Sequence, residues 1–254
     1  MFADGEFLIL IALFFVALLY SSVGHGGASG YLAVLSLTAY AEYDSGWLKQ
    51  HAWALNLVVA AIAFYHYKKA GFFNLKLTLP FILGSIPFAI IGGYLRVDGV
   101  FYDTLLSITL VWAAYKLLQI KEVYSETKIE IPGLRYTIPI GGGVGLMSGV
   151  IGVGGGIFLS PILLLKKWAD PKTAAATAAL FIWVNSIAGL VGAGISGQLV
   201  IQMDVLFPFI MAVVFGGYFG AKYGSENAHQ SLIRKLLIIV LIVASLKRIS
   251  YLMI

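Results

Sequence analysis

The chain has 254 residues, 60% of them hydrophobic and only 11% charged, with a formal net charge of +5 and a mean hydropathy of +0.91. That balance excludes an ordinary soluble domain. The apolar runs reach the roughly 20 residues that a bilayer crossing needs, so an all-α polytopic membrane protein is expected. Cysteine is absent, which excludes disulfides and thiolate metal sites. The basic charge is spread over short loops, where it bears on topology and not on nucleic acid.

Met1 to Glu6 carries Asp4 and Glu6 and lacks the basic start of a cleaved signal peptide, so the chain from Phe7 reads as a retained membrane segment. Within the first apolar stretch, Phe7 to Tyr40, lies the cluster Gly24-His25-Gly26-Gly27. The arms on either side, Phe7–Val23 and Gly27–Tyr40, span about 25 and 21 Å as helices. Both fall short of a hydrocarbon core about 30 Å thick. Asp44-Ser45 is a weak helix cap, Asn56 falls in the middle of the next apolar helix, and Gly71 stands where a loop follows it. Pro80 and Pro87 read as tolerated kinks in a packed membrane helix, as does Pro208 later in the chain. The most hydrophilic stretch, Lys121 to Pro132, separates two halves. The second half places Gly152-Val153-Gly154-Gly155-Gly156 inside the apolar stretch Ile138 to Leu165. Asp170-Pro171 follows as a helix start and Gly197 as a loop after a long helix.

The two glycine clusters register at an offset of 128 residues, which also matches Pro80 with Pro208 and Gly92 with Gly220. A one-residue slip brings Asn56 onto Asn185. An internal duplication is expected, with membrane repeats at 1–125 and 126–254. Each repeat opens with a glycine-tipped helical hairpin or broken helix and continues with three transmembrane helices. Basic residues arbitrate between the two options. With hairpins, thirteen of the 17 lysines and arginines fall on one side of the membrane, leaving Lys49, Arg96, Lys247 and Arg248 on the other. With a single crossing at each cluster the split is nine to eight. The hairpin is favoured, each repeat then has five elements, and the two repeats are inverted relative to one another, so that their tips meet near the midplane.

Backbone interrupted at membrane depth survives only inside protein or beside a cavity. Two interruptions at matching positions of two halves point to a transporter's substrate site. A helix start exposes unpaired N–H groups and a partial positive charge, and glycine lets a ligand approach the backbone. An anion therefore fits such tips without a buried lysine or arginine. The expected substrate-binding residues are Gly24, His25, Gly26 and Gly27 with Ser22 in the first half, and Gly152, Gly154, Gly155 and Gly156 with Ser148 in the second. Asn56 and Asn185 complete the set, as amide donors to ligand oxygens or as interhelical glue worth about 1 kcal/mol. His25, with an unperturbed pKa of about 6.5, is either a proton carrier or anion partner, or a neutral ring bonded to a nearby carbonyl. Thr177 is a further small hydroxyl, and Trp53 and Trp183 either wall the pocket or pack in the core. His51, His66 and His229 lie near segment ends and need only interfacial solvation. Gly92-Gly93, Gly189, Gly192 and Gly216-Gly217 are read as helix-packing glycines.

The run Gly145-Leu146-Met147-Ser148-Gly149-Val150-Ile151-Gly152-Val153-Gly154-Gly155-Gly156, followed by Pro161, resembles the signature of the sulfite exporter TauE/SafE family. The resemblance extends over nearly the whole chain through the duplicated unit. Ser21-Ser22-Val23-Gly24-His25-Gly26-Gly27 is a looser copy, with Ala28 where the second copy has Gly156 and a histidine facing Val153. It implies an exporter of sulfite, sulfonates such as sulfoacetate, or other small anions, in the plasma or inner membrane.

Nothing in the chain suggests an enzyme: there is no HExxH, no nucleophile–base spacing and no Walker-type GKS/T. No catalytic residue, metal site or cofactor is expected. The expected partners are a small anion and the lipid bilayer, with proton coupling and a homodimer left open. A channel or facilitator using the same tips, or a binding subunit without flux, stands as the alternative to a secondary transporter.

Overall fold

The computed structural model describes residues 4–97, 99–119, 130–227 and residue 242. Its described elements are helices: α1 (Asp4–Ser21), α2 (Ala28–Ser36), α3 (Ser45–Lys69), α4 (Leu75–Tyr94), α5 (Gly99–Gln119), α6 (Leu134–Ile151), α7 (Gly156–Leu165), α8 (Pro171–Ile195) and α9 (Met203–Glu226), with one 3-10 turn at Ala39–Glu42. The third helix expected after the hairpin of the second half, beyond α9, lies outside the described residues apart from residue 242, as do His229 and most of the charged linker.

Local chemistry sets the boundaries. Asp44 Oδ1 accepts from Trp47 N at 2.7 Å, and Asp170 Oδ1 accepts from Lys172 N and Thr173 N at 2.9 and 3.0 Å. Both satisfy N–H groups that a helix start leaves orphaned. Asn74 does the same for α4 through Leu77 N at 3.2 Å. Gly71 and Gly197 take φ values of 87° and 68°. The N–H groups after them, of Phe72 and Gln198, reach back to the Tyr67 and Ala193 carbonyls at 3.1 and 2.9 Å. These are helix ends closed by a left-handed residue. Pro80 and Pro87 sit within a continuous α4, and Pro208 within α9.

α4, α8 and α9 are each long and apolar enough to cross a membrane. Leu79, Leu83 and Ile91 on α4, and Phe207, Met211, Phe215 and Phe219 on α9, are exposed at spacings of about one or two turns. Such apolar stripes suit lipid.

The helices that open each half pack across the halves. α1 lies along α9, and α6 along α4. Small residues make both seams. Gly216, Gly220 and Gly224 press on the carbonyls of Phe14, Leu18 and Ser22, while Gly141, Gly145 and Gly149 press on those of Phe81, Ser85 and Ala89. Each seam repeats every four residues on both helices, the spacing of one helical face. α3 and α8 pack on each other between these outer pairs.

Candidate functional site

Each glycine cluster is a break between two helices. α1 ends at Ser21, Gly24 takes φ 74°, and His25 N bonds back to the Tyr20 carbonyl at 2.9 Å. The chain then turns through Gly27, at φ 101°, into α2. In the second half α6 ends at Ile151 and is capped by Gly152 (φ 93°), and Gly154 and Gly155 (φ 74° and 83°) lead into α7. Left-handed backbone at these positions is open to glycine and strained for other residues. α2 has 9 residues and α7 has 10, so they rise only about 13 and 15 Å, roughly half a hydrocarbon core. The second arm of the first hairpin is thus shorter than Gly27–Tyr40. Ser36 and Thr38 bond back to the Leu32 and Leu35 carbonyls at 2.6 and 2.9 Å, and the chain passes into the 3-10 turn. Neither α2 nor α7 has an acidic residue in its first turn, so no carboxylate there offsets the positive ends of their dipoles.

The two breaks meet between α3 and α8. A Cβ added at Gly26 or at Gly154 would collide with the same two side chains, Asn56 of α3 and Ile182 of α8. One added at Gly156 would meet Ile182 and His25. Asn56 and Ile182 are each the twelfth residue of a 25-residue helix, so the junction lies near mid-helix on both sides. The correspondence extends outward: Gly24 packs against Ala175 of α8, and Gly152 against Lys49 of α3.

Asn56 serves the first tip directly. Its Oδ1 accepts from Ala28 N at 3.0 Å, capping a helix that lacks a side-chain cap of its own, and its Nδ2 donates to Ser186 Oγ at 3.3 Å. His25 joins the two tips. Nδ1 lies 2.9 Å from the Val23 carbonyl, which can only accept, so Nδ1 carries a proton; Nε2 lies 3.3 Å from Ser160 Oγ on α7. Tyr67 OH donates to the Ser22 carbonyl at 2.7 Å and Tyr20 OH pairs with Ser29 Oγ at 2.8 Å, both bracing the first tip.

Other expected residues are placed differently. Asn185 is not the counterpart of Asn56. α3 and α8 correspond at an offset of 126, because the connection before α8 is shorter than the one before α3. This sets Ile182 opposite Asn56 and carries Asn185 almost a turn further on. Asn185 Nδ2 donates to Ser85 Oγ at 3.0 Å and to the Phe181 carbonyl at 2.8 Å, and its Oδ1 is buried with no partner. Ser148 Oγ is likewise buried and unpartnered. Ser22 Oγ bonds back to the Leu19 carbonyl at 2.6 Å, and Thr177 pairs with Thr78 at 3.0 Å. Trp53 is fully buried, whereas Trp183 is 37% exposed. His51 is no interfacial residue: it is fully buried, with Nδ1 on the Trp47 carbonyl at 2.8 Å and Nε2 accepting from Gln202 N at 3.2 Å. Gly93 meets Gly189, and Gly192 meets Ile90, as packing glycines.

Sequence reasoning missed Ile182, which has no chemical signature, and Ser160, whose approach to His25 is purely tertiary. It also counted Lys49 as a loop charge. The signal was present: a helix that starts at the Asp44 cap already contains Lys49, well before its terminal Lys68-Lys69.

The sequence model of the family described as Sulfite exporter TauE/SafE matches residues 9–248. A probable membrane transporter protein of Sinorhizobium fredii (strain NBRC 101917 / NGR234), y4hK, is 34% identical over 243 residues, which cover 94% of this chain and 96% of that protein. A probable membrane transporter protein of Bacillus subtilis (strain 168), YunE, is 29% identical over 187 residues, covering 65% of this chain and 64% of its own length. No solved structure matches the chain. With a family match over nearly its whole length, helices suited to a bilayer and two glycine breaks joined at mid-helix, the chain belongs to the sulfite exporter TauE/SafE family and is a multi-pass membrane transporter, not an enzyme.

Proposed function

We propose that this transporter is a secondary exporter of small sulfur-containing anions, sulfite and sulfonates such as sulfoacetate, working by alternating access of two inverted repeats, 1–125 and 126–254. The observation that carries the reading is the junction of Gly26 and Gly154 on Asn56 and Ile182. Two short helices start there, with no acidic residue in their first turns. Helix starts facing one another hold an anion through backbone N–H groups and dipoles. The reciprocal seams, α1 on α9 and α6 on α4, support the repeat. They also supply the surfaces on which one half would rock against the other. A cytoplasmic anion is driven outward by about 2.3 kcal/mol per charge per 100 mV of negative-inside potential, so export needs little other driving force. His25, bonded across both tips, is the residue through which protons would couple to flux.

The test is flux of labelled sulfite and sulfoacetate in proteoliposomes, with and without a pH gradient. Saturable flux with counterflow is expected. Gly154→Val and Gly155→Val should insert in the membrane but lose anion binding, since a side chain there strikes Asn56 and Ile182 or Phe181. Normal transport by both variants would sink the tip site, and currents without counterflow would turn the reading to a channel.

A further inference from the structure

The breaks correspond in geometry but not in the chemistry of the helices they touch. Gly24 meets Ala175 of α8, and at the matching place Gly152 meets Lys49 of α3. In the register that relates the two helices, Lys49 and Trp53 of α3 correspond to Ala175 and Ala179 of α8. Alanine is enough to pack this position in one half. A lysine 2% exposed and a tryptophan fully buried occupy it in the other. Packing therefore does not account for them, and ionisable groups held within a membrane protein are costly and tend to be functional.

Lys49, Trp53 and Asn56 are spaced by four and three residues, so they share one face of α3. All three carry hydrogen-bond donors. Asn56 stands at the junction of the tips. Lys49 stands about 10 Å along the helix toward its start, where its stem lies against Gly152. Trp53 lies between them, with the Nε1 side of its indole against Gly189 of α8. Its Nε1–H is buried and has no acceptor. Lys49 Nζ sits 5.8 Å from the centre of the Trp53 ring and donates to the Leu95 carbonyl, at the end of α4, at 3.0 Å. A buried N–H without an acceptor is rare and needs a reason. Here it belongs to a ring 5.8 Å from the ammonium of Lys49, whose stem touches Gly152 of the second tip.

From this arrangement we infer that Trp53 Nε1 and Lys49 Nζ form a second anion subsite, between the tip junction and the end of the molecule where α3 begins. The inference rests on the anion reading of the tips. The subsite takes an oxyanion with at least two accessible oxygens, one for the indole N–H and one for the ammonium. The Leu95 carbonyl already accepts from Lys49 Nζ, so the ammonium stays partnered when no anion is bound. An anion moving from the tips toward the start of α3 thus passes from backbone donors to side-chain donors and always has a hydrogen-bonding partner. The α8 side offers Ala175 and Ala179 at the matching positions, so the two arms of the path differ in their donors.

Trp53→Phe tests this: it keeps a six-membered aromatic ring and removes the N–H together with the rest of the five-membered ring, so thermal stability in detergent is measured beside flux to separate the cavity from the lost donor. In proteoliposomes with labelled sulfite, it should raise KM about tenfold or more, the loss expected for one hydrogen bond to a charged group, with maximal flux changed less. Lys49→Met should lose saturable flux and Lys49→Arg should restore most of it, a rescue that a purely structural lysine at the end of α4 would not require. Wild-type KM and flux in Trp53→Phe would overturn the subsite while leaving the tip site standing, and Trp53→Phe decides even if Lys49→Met fails to fold. If the wild-type protein shows no saturable anion flux, the anion reading falls and the subsite with it.

Discussion

Asn56 and Asn185 look interchangeable as sequence, yet their surroundings differ. Asn56 uses both ends of its amide, one of them to cap α2 across a helix interface. Asn185 leaves a buried oxygen unpaired. Removing a satisfied cap costs about 1–2 kcal/mol, whereas removing an unpaired buried acceptor also relieves its desolvation cost. Asn56→Ala should therefore lower thermal stability in detergent clearly more than Asn185→Ala does; the reverse order would refute the capping role. His25 is the other residue-scale test. If it couples protons to flux, His25→Ala should still bind anion but lose the pH dependence of transport. A variant whose flux still follows pH as the wild type does would remove His25 from the mechanism, leaving it as a strut between Val23 and Ser160.

At the scale of elements, the glycine seams decide which helices stay together. The face of α9 formed by Gly216, Gly220 and Gly224 lets the α1 backbone approach so closely that a Cβ at Gly220 would overlap the Leu18 carbonyl and Ser21 Oγ. Gly220→Leu should force the pair apart at a cost of about 1–3 kcal/mol or more, seen as a lower unfolding temperature in detergent. Gly143 has open space around its would-be Cβ, so Gly143→Ala should leave stability nearly unchanged. Equal effects of the two substitutions would contradict the close-packed seam. Of the six seam glycines, Gly216 alone was legible in the sequence as a packing residue. Which helix each would face was not, because a run of glycines states how closely a partner may come without naming the partner.

For the whole molecule, the proposal of inverted repeats makes a geometric demand. Lys69 ends α3 and Leu199 follows the corresponding helix α8, and both are exposed. In inverted repeats they lie on opposite sides of the bilayer. Since the chain has no cysteine, Lys69→Cys and Leu199→Cys can each be labelled with a membrane-impermeant thiol reagent in right-side-out and inside-out vesicles. Opposite labelling is expected, and labelling from the same side would eliminate the inversion.

Composition, apolar run length and punctuation determined by themselves that this is a helical membrane protein with paired breaks. Hydrophobic content, glycine clusters, and caps such as Asp170-Pro171 act within a few residues of where they are written. The family was legible for the same reason, since its signature is a contiguous run around Gly152 to Gly156. Only the tertiary structure decided what the breaks touch. The register of α3 against α8 depends on the lengths of the connections before them, and it set Ile182 rather than Asn185 opposite Asn56. It also set Lys49 against Gly152 of the second tip and Trp53 against Gly189, while their counterparts are alanines. Such pairings join residues more than a hundred positions apart, and no local pattern in either segment contains the other.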